Sequence, residues 1–179
     1  GVRWGASLAG AGTIAWLSCA FGMRQFGGFD CSMLVDTAWR VAQGQRPYSD
    51  FACTIPVGFY EAAGAAFRWL GASWWSLVVS NAALTGLAFV AIVELGSAAG
   101  LARCVAWMLA AAVTLVSMGQ TGHLWHSTMT ATAGAVTVLA AVALERAPTR
   151  GRRVAFVLSL ASLALLKPNT AVIGPGDAI

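Results

Sequence analysis

The chain has 179 residues, of which 58% are hydrophobic and only 10% charged, and its mean hydropathy is +0.72. Soluble domains carry roughly a quarter charged residues, so an ordinary soluble enzyme is excluded and an all-α, polytopic bundle of transmembrane helices is expected. The net charge of +4 would suggest nucleic acid in a soluble protein, but here the arginines bracket apolar runs and form no stripe, so no nucleic-acid partner is expected.

A bilayer core requires roughly 20 mostly apolar residues per helical span. About five windows qualify: Trp4–Phe21, Trp74–Leu95, Val105–Met118, Thr128–Leu144 and Val154–Ile173, the third being short. The first is too long, and too poor in a small-residue cleavage site, for a secretory signal, and reads as a signal anchor or first span. The start at Gly1 and the ending "IGPGDAI" directly after an apolar run suggest the N-terminal piece of a longer protein.

Between the first two windows lies the long segment Met23–Ser73. Over Cys31–Gln43 the residues Leu34, Val35, Ala38, Trp39, Val41 and Ala42 fall largely on one side of a helix, with Asp36 and Arg40 at i,i+4. Gly44 suits its C-cap, and Pro47 keeps the residue before it out of the helical region. A second helix is expected to start at Thr54 as N-cap, with Pro56 in its first turn, to present Phe59, Tyr60, Ala63, Phe67 and Leu70, and to end at Gly71. Both are expected to be amphipathic helices lying on the membrane surface.

"GSAAGLAR" carries Arg103 and "ERAPTRGRR" carries Arg146, Arg150, Arg152 and Arg153, whereas "GQTGHLWHS" carries no Lys or Arg. The positive-inside rule then places Gly96–Arg103 and Glu145–Arg153 in the cytoplasm, and Met23–Ser73 and Gly119–Ser127 outside. Arg24, Arg40, Arg46 and Arg68 in the long segment count for less, because it approaches the rule's limit of roughly 60 residues. Cys19, Cys31, Cys53 and Cys104 form no CxxC pair; Cys31 and Cys53 share one loop and could pair in an oxidising compartment.

Several polar residues of this topology converge on the outer face. Asp30 precedes a helical pattern and suits either an N-cap or a catalytic carboxylate. Asp36 most simply pairs with Arg40; Asp50 is either a turn residue or, held by Arg46 and Tyr48, a substrate contact. His123 and His126 flank Trp125 and read as interfacial or substrate-facing residues; their i,i+3 spacing also permits a divalent metal, but no third ligand is evident and no metal ligands are assigned. Lys167, followed by Pro168 and Asn169, either snorkels to the interface or lines a cavity where its ammonium meets an anion. A carboxylate base, a cation and polar loop residues on one face suit a lipid-borne phosphate substrate.

An apolar first span, "GGFDCSMLVDTAWRVAQGQRPYSDFACTIPVGFY", a Trp-rich second span and "LLKPN" together resemble the N-terminal half of GT-C type polytopic glycosyltransferases, similar to protein O-mannosyltransferases and aminoarabinose and arabinosyl transferases. The resemblance implies a bacterial inner-membrane enzyme that passes a sugar from a polyprenyl-phosphate donor to an acceptor at the extracytoplasmic face, usually with inversion. It also implies an essential aspartate in the first outer loop, which falls on Asp30. The acidic pair common in the family is not matched, since Cys31 follows Asp30. The remaining spans and any C-terminal domain would be needed for activity. The competing reading is a transporter or lipid flippase, with Lys167-Pro168 marking a broken binding helix.

Overall fold

The computed structural model of the protein describes residues 2–24, 28–53, 55–117 and 122–166. Regular structure among them is helical: α1 (Val2–Gly22), α2 (Gly28–Ala42), α3 (Val57–Leu70), α4 (Trp74–Ala98), α5 (Arg103–Ser117), α6 (His126–Arg146) and α7 (Arg150–Leu166). Among the described residues, three stretches are long and apolar enough to cross a membrane: Gly5–Gly22 in α1, all of α4 and all of α6. At about 1.5 Å per residue, the 15 residues of α5 rise roughly 22 Å, short of a core about 30 Å thick. α7 opens on Arg150, Arg152 and Arg153, and the part of its apolar window after Leu166 lies outside the described residues.

α4 is the central helix: 61% of its apolar window is buried, against 22% for α1 and 28% for α6. Ser73 caps its start, the side-chain oxygen accepting from the Ser76 N–H. Against α1, the Asn81 amide donates to Ser18 Oγ at 3.0 Å between two buried side chains, and Gly86 lets the backbone of Ala11 approach. Against α5, Phe89 meets Trp107 edge to face at 5.1 Å, in space that Gly10 of α1 leaves open.

The two ends of the bundle differ in chemistry. At one end Arg103 Nη2 donates to Glu94 Oε1 and to Ser7 Oγ, each at 2.8 Å, joining α1, α4 and α5. Arg152 there donates to the carbonyls of Ala143 and Ala147 that end α6, at 2.9 and 3.2 Å, and Arg146 packs on Gly100. At the other end α2 and α3 pack on the starts of α4 and α6 and the end of α7. A core of Leu34, Phe59, Phe67, Leu77, Leu124 and Leu166 joins them.

At this second end Gly22 and Gly122 touch backbone to backbone. A Cβ on Gly22 would collide with the Gly122 carbonyl, and Gly122 itself has φ +62. Gly22→Ala should therefore destabilise the protein by about 1–3 kcal/mol, read as a lowered unfolding temperature in nanodiscs. Gly12→Ala, where nothing lies within 4 Å of the added carbon, should not lower it.

Candidate functional site

Cys31, Leu34, Ala38 and Val41 are buried and recur every three or four residues, so α2 turns this stripe onto Phe59, Tyr60, Ala63 and Phe67 of α3. Gly64 gives Val41 room to sit against the α3 backbone. Two expected members of the apolar faces point away: Trp39 is 46% exposed and Leu70 52%. α3 begins at Val57 with Pro56 in the capping position and no side-chain cap; the expected N-cap, Thr54, lies outside the described residues. Gly71 closes the helix with φ 89, as the sequence suggests.

Asp30 lies within the first turn of α2, not ahead of it as an N-cap would; its side chain is outside the described residues. The next residue locates this turn. The buried Cys31 Sγ lies 3.6 Å from His123 Nε2, and the His123 ring packs on Trp74 at 4.7 Å and Trp125 at 5.8 Å. Trp74 in turn donates its indole N–H to the Gly22 carbonyl at 3.2 Å. The start of α2 is thereby tied to α1, α4 and the segment that opens α6. Cys53 Sγ approaches the Phe51 carbonyl at 3.7 Å, and none of the four cysteines is in a disulfide, so the Cys31–Cys53 pair is not formed.

The two histidines have different surroundings. His123 is buried in the knot just described. His126, the first residue of α6, stacks against Trp125 at 5.3 Å and Phe59 at 6.1 Å and lines a cavity of about 290 Å³ with Met33, Thr37, Ile55, Tyr60 and Trp125. The Tyr60 hydroxyl accepts from the Ile55 N–H at 3.3 Å. Among the described residues no three His, Cys, Asp or Glu side chains converge to hold a metal ion.

Two further cavities lie on these helices. Along α6, Met129, Ala133 and Val136, on roughly the same face as His126, line an apolar groove of about 410 Å³ between α4, α6 and α7 together with Leu84 and Leu166. Beside the His126 cavity, Met33 and Thr37 also line a surface pocket of about 260 Å³ with Asp36, Arg40 and Phe51. Arg40 Nε donates to Asp36 Oδ2 at 2.8 Å, the i,i+4 pair expected from the sequence, and its guanidinium lies 5.8 Å from the Phe51 ring centre.

Phe51 is held by a tight turn. Asp50 Oδ2 accepts from the Arg46 N–H at 2.7 Å, reaching back four residues, so this carboxylate staples the turn. Tyr48 has φ 66, a region bulky residues rarely enter; its N–H donates to the Phe51 carbonyl at 3.0 Å and its hydroxyl to the Ile55 carbonyl. Desolvation, then Cys53 and Tyr60, push the Tyr48 phenol above its usual range. Lys167 and Asn169 lie outside the described residues.

The sequence pattern pointed to Asp30, Asp36, Arg46, Tyr48, Asp50, His123 and His126. The structure gathers Asp36 and His126 into adjoining cavities, uses Asp50, the Arg46 backbone and Tyr48 to build the turn beside them, and buries His123. Tyr60, Trp125, Thr37 and Phe51 line the same cavities but read in sequence as apolar-face or spacer residues. No family model, curated protein or solved structure matches the chain.

The raised Tyr48 phenol sets a direction for pH. Its contribution to the turn is complete below the unfolded phenol's value of 10.0 and is lost as pH rises through the higher folded value. Tyr48→Phe removes the donor to Ile55 and should open the turn by about 1 kcal/mol, seen as roughly fivefold faster amide exchange at Ser49 and Asp50 with an unchanged global unfolding temperature. That difference should vanish in samples equilibrated above the phenol's folded value.

Proposed function

We propose that the protein is part of a multi-pass membrane glycosyltransferase of GT-C type, which moves a sugar from a polyprenyl-phosphate donor to an acceptor hydroxyl at the extracytoplasmic face. The observation that carries this reading is the placement of an apolar groove and a polar, aromatic cavity on one face of α6, with Val136 and Met129 lining the first and His126 the second. Val136 and His126 are ten positions apart, about 15 Å of helix, so an amphiphile can lie with its chain in the groove and its head group at His126.

The chemistry needs little more. The acceptor oxygen attacks the anomeric carbon as the bond from that carbon to the phosphate oxygen breaks; the acceptor proton passes to a base, and the lipid phosphate leaves with the bonding pair. Asp30 is assigned as the base, since the helical turn that carries it is anchored to His123 beside the segment opening α6. Lys167 follows Leu166, which lines the groove, and is assigned to the leaving phosphate, whose growing charge an ammonium offsets. The arginine-bearing end, with Arg103, Arg146 and Arg152, faces the cytoplasm in this reading.

Three measurements test it. Thr149→Cys, in a background whose four native cysteines are alanine, should resist an impermeant thiol reagent added outside intact cells; strong labelling there overturns the orientation. Asp30→Asn in the full-length protein should insert normally and lose transfer by roughly a hundredfold or more; wild-type turnover removes Asp30 from the chemistry. Lys167→Met should raise the donor KM more than the acceptor KM, and Lys167→Arg should restore part of the loss. Movement of intact lipid between leaflets without any glycosyl transfer would favour a flippase instead.

A further inference from the structure

The pocket formed by Asp36, Arg40, Thr37 and Phe51 has no part in the donor path, yet it opens beside the His126 cavity and shares Met33 and Thr37 with it. We propose that it is the acceptor subsite, and that the group it holds is a single neutral pyranose ring; the inference rests on the transferase reading above.

The lining chooses among ligand classes. An anionic acceptor would meet the Asp36 carboxylate, and a cationic one the Arg40 guanidinium, each at the cost of like-charge repulsion. A purely apolar group would desolvate both charges without replacing their hydrogen bonds. A neutral polyol avoids both costs. Adjacent hydroxyls can donate to the carboxylate and accept from the guanidinium, whose Nε is already aligned on Asp36 at 2.8 Å. The Phe51 ring, which lines the pocket with the Arg40 guanidinium 5.8 Å from its centre, adds an apolar contact for the C–H groups of a sugar. At about 260 Å³ the pocket has room for one sugar ring.

The backbone that presents Phe51 is built for rigidity. Tyr48 occupies a left-handed conformation that persists only where the surroundings overdetermine it, and here five contacts do so. They are Tyr48 N–H to Phe51 O, Ser49 N–H and Asp50 N–H to Arg46 O, Arg46 N–H to Asp50 Oδ2, and Tyr48 Oη to Ile55 O. The turn thereby holds the Phe51 ring at the edge of the α2–α3 core, beside Arg40. A pre-set aromatic platform lowers the ordering cost of binding a weakly held sugar.

The test uses full-length protein in nanodiscs without donor lipid, probed by saturation-transfer NMR with the methyl glycosides of glucose, mannose and galactose, and with methyl phosphate. At least one glycoside should receive saturation at its ring protons. Phe51→Leu and Asp36→Asn should each weaken that binding by roughly tenfold or more, and Phe51→Tyr should retain it. Loss in Phe51→Leu with retention in Phe51→Tyr, at matched unfolding temperatures, separates the lost ring from misfolding. Saturation of none of the three glycosides, binding indifferent to Phe51→Leu and Asp36→Asn, or preference for methyl phosphate would each overturn the proposal. Glycoside binding that needs Phe51 and Asp36 in a protein that transfers no sugar keeps the saccharide site and removes the transferase reading. Transfer with an unchanged acceptor KM in both variants does the reverse.

Discussion

The Trp74 indole is the point on which the α2 end of the molecule depends. Its N–H closes on the Gly22 carbonyl at the end of α1, its ring carries His123, and His123 meets Cys31 in the first turn of α2. One side chain thus ties together four segments that are up to about a hundred residues apart in sequence. The arrangement requires two backbones to touch at Gly22 and Gly122, which no side chain larger than hydrogen permits. An indole suits the task because it buries a large apolar surface and still has one hydrogen bond to place.

From that knot the cavities follow. With Cys31 anchored, the stripe from Leu34 to Val41 settles on α3, and the face of α2 carrying Met33, Thr37, Asp36 and Arg40 is left lining open space beside His126. α3 is fixed in turn by Gly58, which lets the backbone at Leu165 of α7 come into contact. The apolar groove between α4, α6 and α7 and the polar cavity thus lie along the same face of α6. The opposite end of the bundle is closed by charge: Arg103 joins Glu94 and Ser7, and Arg152 caps α6. Part-buried ion pairs such as Arg103–Glu94 add modest stability but fix which helices meet.

Local features of the α2–α3 region were largely readable from the chain. The Asp36–Arg40 pair depends only on helical rise, and the stops at Gly44 and Gly71 depend on a backbone angle that glycine adopts at low cost; both occur in the structure with φ near +90. Other features were not readable. His123 and His126 belong to one short motif, yet one is buried against a thiol and an indole while the other lines a cavity, because His123 lies in the non-helical stretch before α6 and His126 is the first residue of that helix. Asp50 looked equally suited to a turn or a ligand; its carboxylate is engaged four residues back, a contact set by the unusual backbone at Tyr48. Cys31 and Cys53 share a loop, but the first is drawn to His123 from a segment ninety-two positions away.

By itself the sequence determined composition, helical periodicity and breaks: an all-helical chain with about five apolar windows, three of which lie in helices long and apolar enough to cross a membrane among the described residues, and the two amphipathic helices between the first and second of those three. These follow from interactions within a few residues, where spacing along the chain is spacing in space. The tertiary structure alone decided that α4 is central, that Trp74 and Gly22 govern the approach of α2, and that Tyr60, Trp125, Thr37 and Phe51 share cavities with Asp36 and His126. Those outcomes depend on which buried faces meet and on how closely two backbones can pass, and a linear pattern of apolar and polar residues does not encode either without the packing that selects among them.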